Sequence, residues 1–240
     1  MARPGIRYGR WLMGRILRSI LVLFLLLLTL FLFWRVFLSN RLPKEMRTLV
    51  PDEALHRALL SGELHPFTQE QSTLTREERN YGYFGVPRFV FVPEAGEAQV
   101  VFRYNNSTLK KVAADLGLPE ALPRGEEVFD VSALLITDLT PEDTSDNTDG
   151  SETLSTRRVH PAARQIAVTR LYTYILYTFE EVCPQPDTLV VYLDVYYGEN
   201  PDYSEKPLGT LRLYHIDSAN EPVKLSGKEE KAIRAFTPGT

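Results

Sequence analysis

Residues 20–34 read ILVLFLLLLTLFLFW, an unbroken run of fifteen positions in which Thr29 is the single polar side chain. One arginine then interrupts the run and three more apolar residues extend it, so that the apolar region goes from Ile20 to Leu38. This length is close to the roughly 20 residues that an α-helix needs to cross a hydrocarbon core. Inside lipid, only a helix satisfies every backbone N–H and C=O group of a single segment. The sequence therefore predicts a transmembrane helix at 19–38, with its contact to the lipid bilayer running from Ile20 to Leu38.

Both flanks of the apolar run are basic, and comparing them gives an expected orientation. Five arginines precede the run, whereas three arginines and one lysine follow it before residue 48. This difference is a weak positive-inside bias, but roughly 200 residues follow the run, and long domains cross the membrane largely regardless of their charge. We therefore expect residues 1–18 to be a basic cytoplasmic arm and the C-terminal domain to be extracytoplasmic.

A cleaved signal peptide is an alternative interpretation, because a basic segment followed by an apolar one is typical of such peptides. However, residues 36–40, VFLSN, lack the A-x-A-like pair of small residues that cleavage requires. A buried helix of a soluble core is a further alternative, but a soluble core rarely surrounds a helix that is apolar on every side. We interpret the run as an uncleaved signal anchor of a single-pass membrane protein.

Charge is distributed unevenly between the two parts of the chain. Residues 1–47 carry nine basic side chains and one acidic side chain, whereas residues 48–240 carry 18 basic and 30 acidic side chains, and the whole chain has a net charge of −4. A basic arm suits the anionic inner leaflet of a membrane. The acidic C-terminal part argues against a nucleic-acid partner, which would require a basic face.

Beyond the apolar run the sequence pattern changes twice. Residues 39–80 are predicted to be a juxtamembrane linker with short helices, one at 51–62 that Gly62 ends and one after Thr75. Residues 81–240 are predicted to be a β-rich domain. Runs rich in β-branched and aromatic residues predict its strands, at 88–92, 99–104, 127–139, 188–197 and 208–216. Short helices are predicted at its periphery, at 107–117 and after the capping box that Ser226 begins.

Alternation in the run at 127–139 predicts which side chains face the core. Phe129, Val131, Ala133, Leu135 and Thr137 fall on one face, which is the better core candidate, and Asp130 falls on the other.

The stretch at 161–183 fits two kinds of secondary structure. Apolar residues recur there at helical spacing, and Pro161 suits a first helical turn. Ten of the fourteen residues at 166–179 are nevertheless Ile, Val, Thr, Tyr or Phe, a composition that favours a strand. We predict one long strand, and hence a mainly β fold with a sandwich-like antiparallel β domain and short peripheral helices. The alternative is an α+β fold with a long helix at 161–183.

The sequence lacks the local motifs of common catalytic and metal sites. The histidines, at 56, 65, 160 and 215, are scattered, and none has metal-ligand spacing to another ligand residue. The single cysteine, Cys183, excludes an intramolecular disulfide. We therefore predict no catalytic residue, no cofactor and no metal, and we favour a protein that is not an enzyme. A hydrolase that uses carboxylates such as Asp130, Asp138 or Asp194 remains the enzymatic alternative.

Two polar segments have both a functional and a structural interpretation. Residues 140–158 are predicted to be a polar, turn-like loop. The acidic loop at 138–152 offers Asp138, Asp143, Asp146 and Asp149 for an ion, but it departs from the EF-hand pattern at two positions, so a solvated loop is favoured. Asn105 and Asn106 each begin a glycosylation sequon, although the same residues suit a turn.

Tyrosines concentrate in the C-terminal half of the chain, including Tyr192, Tyr196, Tyr197 and Tyr203. Such side chains either form cross-strand pairs within a sheet or supply an interface. Together these features favour a membrane-anchored protein whose extracytoplasmic β domain acts as a protein-binding or assembly module. A membrane-tethered hydrolase and a small-ligand or ion-binding protein are the alternatives.

Overall fold

The computed structural model of the chain describes residues 5–39, 41–62, 64–69, 83–118, 122, 128–138, 154–182, 188–198, 201–215 and 220–237. The chain divides into two compact units, Met1–Arg41 and Leu42–Thr240. The helix predicted after Thr75 and the side chain of Cys183 lie outside the described residues.

The first unit contains one long helix, α1, at Gly5–Ser39. Its span Arg15–Arg35 is long and apolar enough to cross a membrane, and none of the span is buried. The 21 residues of the span measure about 31 Å at a rise of about 1.5 Å per residue, which matches a hydrocarbon core about 30 Å thick. The hydroxyl of Thr29 donates to the carbonyl oxygen of Leu25 at 2.8 Å, so the one polar side chain of the apolar run is satisfied within the helix.

The described part of the second unit contains two antiparallel sheets and three short α-helices. The six-stranded sheet has the order β10-β1-β2-β3-β7-β6, and the four-stranded sheet has the order β5-β4-β8-β9. The strands are β1 Phe67–Gln69, β2 Phe84–Val92, β3 Glu97–Asn105, β4 Phe129–Asp138, β5 Leu154–Val159, β6 Ala163–Val168, β7 Tyr172–Glu180, β8 Thr188–Tyr197, β9 Gly209–His215 and β10 Asn220–Pro222. The helices are α2 Glu53–Ser61, α3 Leu109–Leu116 and α4 Gly227–Arg234.

One apolar core receives side chains from both sheets. Alternate residues of β2, β3 and β7 meet alternate residues of β4, β8 and β9 in this core. Phe129, Val131, Ala133 and Leu135 of β4 are all buried in it, as the alternation of the sequence predicts. The aromatic rings of Phe84 and Phe129 come from different sheets and meet edge to face, with centroids 5.0 Å apart.

The opposite face of the six-stranded sheet is covered by the C-terminal helix α4 and by residues that the sequence analysis assigned to a linker. Val90 and Val92 of β2 pack with Leu55 of α2 and Ile233 of α4. A neighbouring cluster places the buried Met46 against β3 and β7. The segment that begins at Leu42 therefore belongs to the same compact unit as the sheets, and its burial is part of what stabilises them.

The ends of these helices follow the sequence closely. A carboxylate oxygen of Asp52 accepts from the backbone N–H of Leu55 at 2.8 Å and caps α2, and Gly62 ends the same helix with a φ of 79°, in the left-handed region that glycine adopts freely. At α4, Ser226 and Glu229 form the predicted capping box.

The stretch at 161–183 is a hairpin, so the prediction of one long strand is wrong and the helical alternative is excluded. β6 and β7 pair antiparallel with Ile166 opposite Ile175, and a turn joins them, in which Thr169 N–H donates to the carbonyl oxygen of Tyr172 at 2.8 Å. The side chains of β7 are buried on both of its faces from Thr173 to Phe179. Because both faces are apolar, the period of 2 that would distinguish a strand from a helix is absent from the sequence.

A second correction concerns residues 140–158, which the sequence analysis interpreted as a polar loop. The last part of this segment is β5, which pairs with β4 in the register Leu135 opposite Arg157. Its composition is polar because it is an edge strand with solvent-exposed side chains at Thr156 and Arg157. The short strands β1 and β10 also lacked a recognisable pattern, since each has only three residues.

We predict that α2 is energetically part of the sheet domain. Leu55→Ala should lower the free energy of unfolding by about 2–5 kcal/mol, because it creates a cavity where Leu55 is fully buried. The matched control is Leu60→Ala on the same helix, where the side chain is 62% exposed and the loss should stay within about 0.5 kcal/mol. Urea unfolding of the full chain in detergent micelles, followed by tyrosine near-ultraviolet circular dichroism, measures both. Equal losses would contradict the assignment.

Candidate functional site

Buried polar side chains occupy the face of the four-stranded sheet that points away from the core. Asp130 and Ser132 lie on β4, and Asp194 and Tyr196 lie on β8, and all four are buried. Ser132 is opposite Asp194 in the register, and Asp130 is opposite Tyr196. The sequence analysis placed Asp130 on the non-core face and named Asp194 as a candidate carboxylate, but it gave no reason for the two to be neighbours.

Arg158 of β5 lies at the centre of this polar cluster. Its Nη1 is 3.1 Å from Asp194 Oδ2 and donates to Ser132 Oγ at 2.9 Å. The same nitrogen contacts the hydroxyl of Tyr196. Asp194 also accepts from the hydroxyl of Thr210 at 2.7 Å. The carboxylate of Asp194 is therefore fully engaged by an ion pair and a hydrogen bond, as a buried charge requires.

Asp130 is bound by a second set of contacts. Its Oδ1 accepts from the backbone N–H of Val131 at 2.8 Å, and its Oδ2 accepts from the hydroxyl of Tyr203 at 2.8 Å. Burial, and then the hydrogen bond to Asp130, raise the pKa of Tyr203 above its ordinary value. The phenol therefore stays protonated and remains a donor at neutral pH. The ring of Tyr203 also packs against the ring of His160, with centroids 4.2 Å apart.

A cavity of about 360 Å³ opens beside Asp130. Its other walls are His160, residues 161–164 and Tyr203. The cavity exists because β5 ends at Val159, opposite Ala133. From there the chain leaves the four-stranded sheet and enters the six-stranded sheet as β6, so the first residues of β4 have no β5 neighbour in the described register.

This arrangement differs from the carboxylate pair that a hydrolase would use. Of the three candidate carboxylates, Asp130 and Asp194 belong to one cluster, and Asp138 lies at the far end of β4. Asp194 is occupied by Arg158, which leaves a single carboxylate in the wall of the cavity. The geometry therefore supports binding in the cavity better than paired acid–base chemistry.

The remaining candidate ligands are placed as follows. Among the residues that the structure describes, no group of three or more His, Cys, Asp or Glu side chains could hold a metal ion. The calcium candidates Asp143, Asp146 and Asp149 lie outside the described ranges, and of Asp138 only the backbone is described.

Both predicted sequons lie in a hydrogen-bonded turn before α3. Asn105 Oδ1 accepts from the backbone N–H of Ser107 at 2.8 Å. Asn106 is buried, and its Nδ2, the atom that glycosylation would modify, donates to the carbonyl oxygen of Thr169 at 3.1 Å. Its Oδ1 accepts from the hydroxyl of Thr173 at 2.7 Å. These contacts agree with the turn interpretation of the sequence.

The outer edge of β6 is a separate feature. No strand in the described part of the chain pairs with this edge. In the turn, the Thr169 N–H donates to the carbonyl oxygen of Tyr172. Hydrogen-bonded residues alternate along an antiparallel strand. The backbone groups of Ala167 and Gln165, which lie two and four positions before Thr169, therefore bond to β7. The N–H and C=O groups of Ile166 and Val168 therefore point outward.

Apolar side chains accompany these outward-facing backbone groups. Ile166 is 41% exposed and Val168 is 51% exposed. Outside α1, the described large apolar side chains with comparable exposure are these two together with Leu60 and Tyr197. β6 is thus a strand edge that presents both backbone groups and apolar surface. The sequence shows the composition of β6 but does not indicate that this strand lies at the edge of the sheet.

A third polar site joins the segment before α2 to the six-stranded sheet. Gln99 Nε2 donates to Val50 O at 2.8 Å, and Val50 N–H donates to Gln99 Oε1 at 2.9 Å. Gln99 also donates to Glu97 Oε1 at 2.7 Å. Glu97 is only 1% exposed, and burial, followed by a hydrogen bond with Asp52, raises its pKa from 4.5 to about 9. Glu97 is therefore protonated at neutral pH.

Comparison with known proteins adds no functional assignment, because no family model, curated protein or solved structure matches the chain. The functional argument therefore rests on the geometry of this structure.

The raised pKa of Glu97 predicts a pH-dependent stability. A group whose pKa is higher in the folded state stabilises fully below its unfolded pKa, and this contribution is lost as the pH rises through the folded pKa. Glu97 should therefore lower the stability progressively between pH 4.5 and about 9. Glu97→Gln should remove this pH-dependent loss of stability, so the variant should unfold at a higher temperature than the parent chain at pH 9 and differ less at pH 5. Glu180→Gln, which changes the exposed acid opposite Glu97, is the control and should leave most of the dependence in place.

The polar cluster predicts a large effect of removing one partner. Arg158→Met should lower the free energy of unfolding by about 3–5 kcal/mol, because it leaves the buried carboxylate of Asp194 without its counter-ion. Combining it with Asp194→Asn should recover a substantial part of the loss. Denaturant unfolding of the single and double variants measures this coupling, and strictly additive losses would contradict it.

Proposed function

We propose that the chain is a single-pass membrane-anchored protein whose extracytoplasmic domain binds another protein by strand addition at β6. The anchoring is supported by the length and apolar surface of α1. The orientation is supported by the weak excess of arginine before the span and by the length of the domain that follows it. Lipid contacts from Ile20 to Leu38 hold the protein at the membrane.

The domain itself we interpret as a sandwich-like pair of antiparallel sheets. This is supported by the single core that receives side chains from both sheets and by the covering of the opposite face of the six-stranded sheet by α2 and α4. An antiparallel domain of this kind has strand edges, and each edge must be protected or used.

The observation that carries the proposal is the composition and exposure of β6. Natural edge strands are usually protected against pairing with another strand by charged side chains, by proline or by short length. β10 has three residues and ends in Pro222, and β5 carries Arg157 and Arg158. β6 has six residues, no proline and the single charge of Arg164. Among the described edge side chains, large apolar groups with more than a third of their surface exposed occur only on β6.

Strand addition uses both features of this edge. The outward N–H and C=O groups supply main-chain hydrogen bonds to an extended segment of the partner, and alternate side chains supply selectivity. Ile166 and Val168 lie on the same face of β6, since residues two apart on a strand share a face. The partner segment would therefore contribute apolar side chains at matching alternate positions.

Small-ligand binding is a second candidate function, and the cavity beside Asp130 favours it. Its volume of about 360 Å³ falls in the range of small-molecule sites, roughly 300–1,000 Å³. A thermal-shift screen of small molecules and ions against the full chain tests this candidate, with Asp130→Asn as the variant that should abolish any stabilisation.

The strand-addition proposal predicts where a partner can be crosslinked. A photo-crosslinking amino acid at position 166 or 168, in the full chain in intact membranes, should capture a discrete protein. The same probe at position 60, which is also exposed and apolar, is the control and should not capture it. With the probe at position 168, Ile166→Pro should abolish capture. Proline has no N–H to donate outward, whereas the hydrogen bonds from β6 to β7 are retained.

Two results would refute the proposal. One is capture at position 60 that equals capture at position 168. The other is capture at position 168 that survives Ile166→Pro. A chain limited to residues 1–50 tests whether the anchor alone accounts for any association.

A further inference from the structure

We infer that the partner of β6 is β6 of a second copy of this chain, paired antiparallel about a twofold axis at Ile166. The inference rests on the proposed function, because it names the partner of the same edge. It extends the six-stranded sheet of one copy into that of the other. The argument has three parts, which concern the backbone, the side chains and the membrane.

The backbone groups of two copies match in this register. In antiparallel pairing, residues with outward N–H and C=O groups must face residues of the same kind. On β6 the residues with outward backbone groups are those with even numbers, because Thr169 bonds to Tyr172 and the odd-numbered residues therefore bond to β7. The ladder between β7 and β3 gives the same alternation. Asn106 N–H donates to the carbonyl oxygen of Leu171 at 2.8 Å, so the odd-numbered residues of β7 bond to β3 and its even-numbered residues bond to β6. With Ile166 opposite its own copy, Arg164 lies opposite Val168, so the even positions of the two strands face each other in register.

The side chains favour this register over those whose axis lies nearer to Arg164. Ile166 and Val168 of both copies lie on one face and form a continuous apolar patch across the new strand pair. The two Arg164 side chains are separated by four positions, or about 13 Å along the strands. An axis at Arg164 would oppose two like charges directly. An axis at Gln165 would make the two arginines diagonal neighbours, about 7–8 Å apart.

The membrane anchor supplies the concentration that such a short strand needs. Six residues of pairing form a small contact, which is weak between freely diffusing molecules. Copies anchored in one bilayer are confined to the same surface, which raises their effective concentration. The contact is therefore expected in membranes and largely lost when detergent disperses the chain.

Disulfide mapping in membranes tests the register. In the proposed pairing, Gln165 faces Ala167 of the second copy in a non-hydrogen-bonded pair, where the two Cα atoms approach to about 4.5 Å. Two differently tagged full-length chains, both carrying Cys183→Ser, are expressed together, one with Gln165→Cys and the other with Ala167→Cys. Mild oxidation of the membranes should give a dimer that carries both tags.

The controls separate this inference from the proposed function. Leu60→Cys in both chains should give no dimer above background, although the side chain is exposed. Ile166→Pro added to both tagged chains should abolish the mixed dimer. A dimer formed more efficiently by Gln165→Cys in both chains would overturn the register. The absence of any β6-dependent dimer would overturn the inference. If photo-crosslinking at position 168 then captured a different protein, the proposed strand addition would stand with that protein as the partner.

Discussion

The central strands of the six-stranded sheet must bury both of their faces, and the rest of the domain follows from that requirement. Tyr174, Ile175, Leu176 and Tyr177 on β7 are all buried although successive side chains point to opposite faces. One face packs on the four-stranded sheet, and the other packs on the segment around Met46, on α2 and on α4. This explains why Met46 and α2 pack against the sheet, although the sequence analysis assigned both to a linker.

This burial does not extend to β6, whose side chains are mostly exposed. The four-stranded sheet has fewer strands than its neighbour, so an edge of the larger sheet extends beyond the shared core. The polar cluster around Arg158 holds the end of β5, where the chain crosses to β6. Ion pairing of Arg158 with Asp194 and bonding of Asp130 to Tyr203 fix the two sides of this crossing. The cluster therefore acts through structure, since its contacts hold the end of β5 next to the start of β6, whereas the ladder with β7 determines which residues of β6 face outward.

Local sequence patterns predicted those parts of the fold that depend on local interactions. The capping box at Ser226, the terminal glycine at Gly62 and the core face of β4 each depend on residues close in sequence, and each is found in the structure. The hairpin of β6 and β7 was mistaken for one strand because its turn, at Thr169, contains neither glycine nor proline.

The candidate sites were less predictable because they depend on residues distant in the chain. Arg158 and Asp194 are 36 positions apart, and no local motif links them. Glu97 is an ordinary acidic residue in the sequence, and only the fold buries it beside Asp52. The edge position of β6 likewise follows from the order of the strands, which a single sequence does not contain.

The most direct measurement of the central claim is residue-resolved amide hydrogen exchange at Ile166 and Ala167, first in detergent-dispersed chain and then in membranes. The account predicts that Ala167 is protected in both states by its bond to β7, whereas Ile166 exchanges rapidly in detergent and becomes protected in membranes. Equal protection of the two amides in dispersed chain would mean that the edge of β6 is already occupied within the protein, and it would contradict the account.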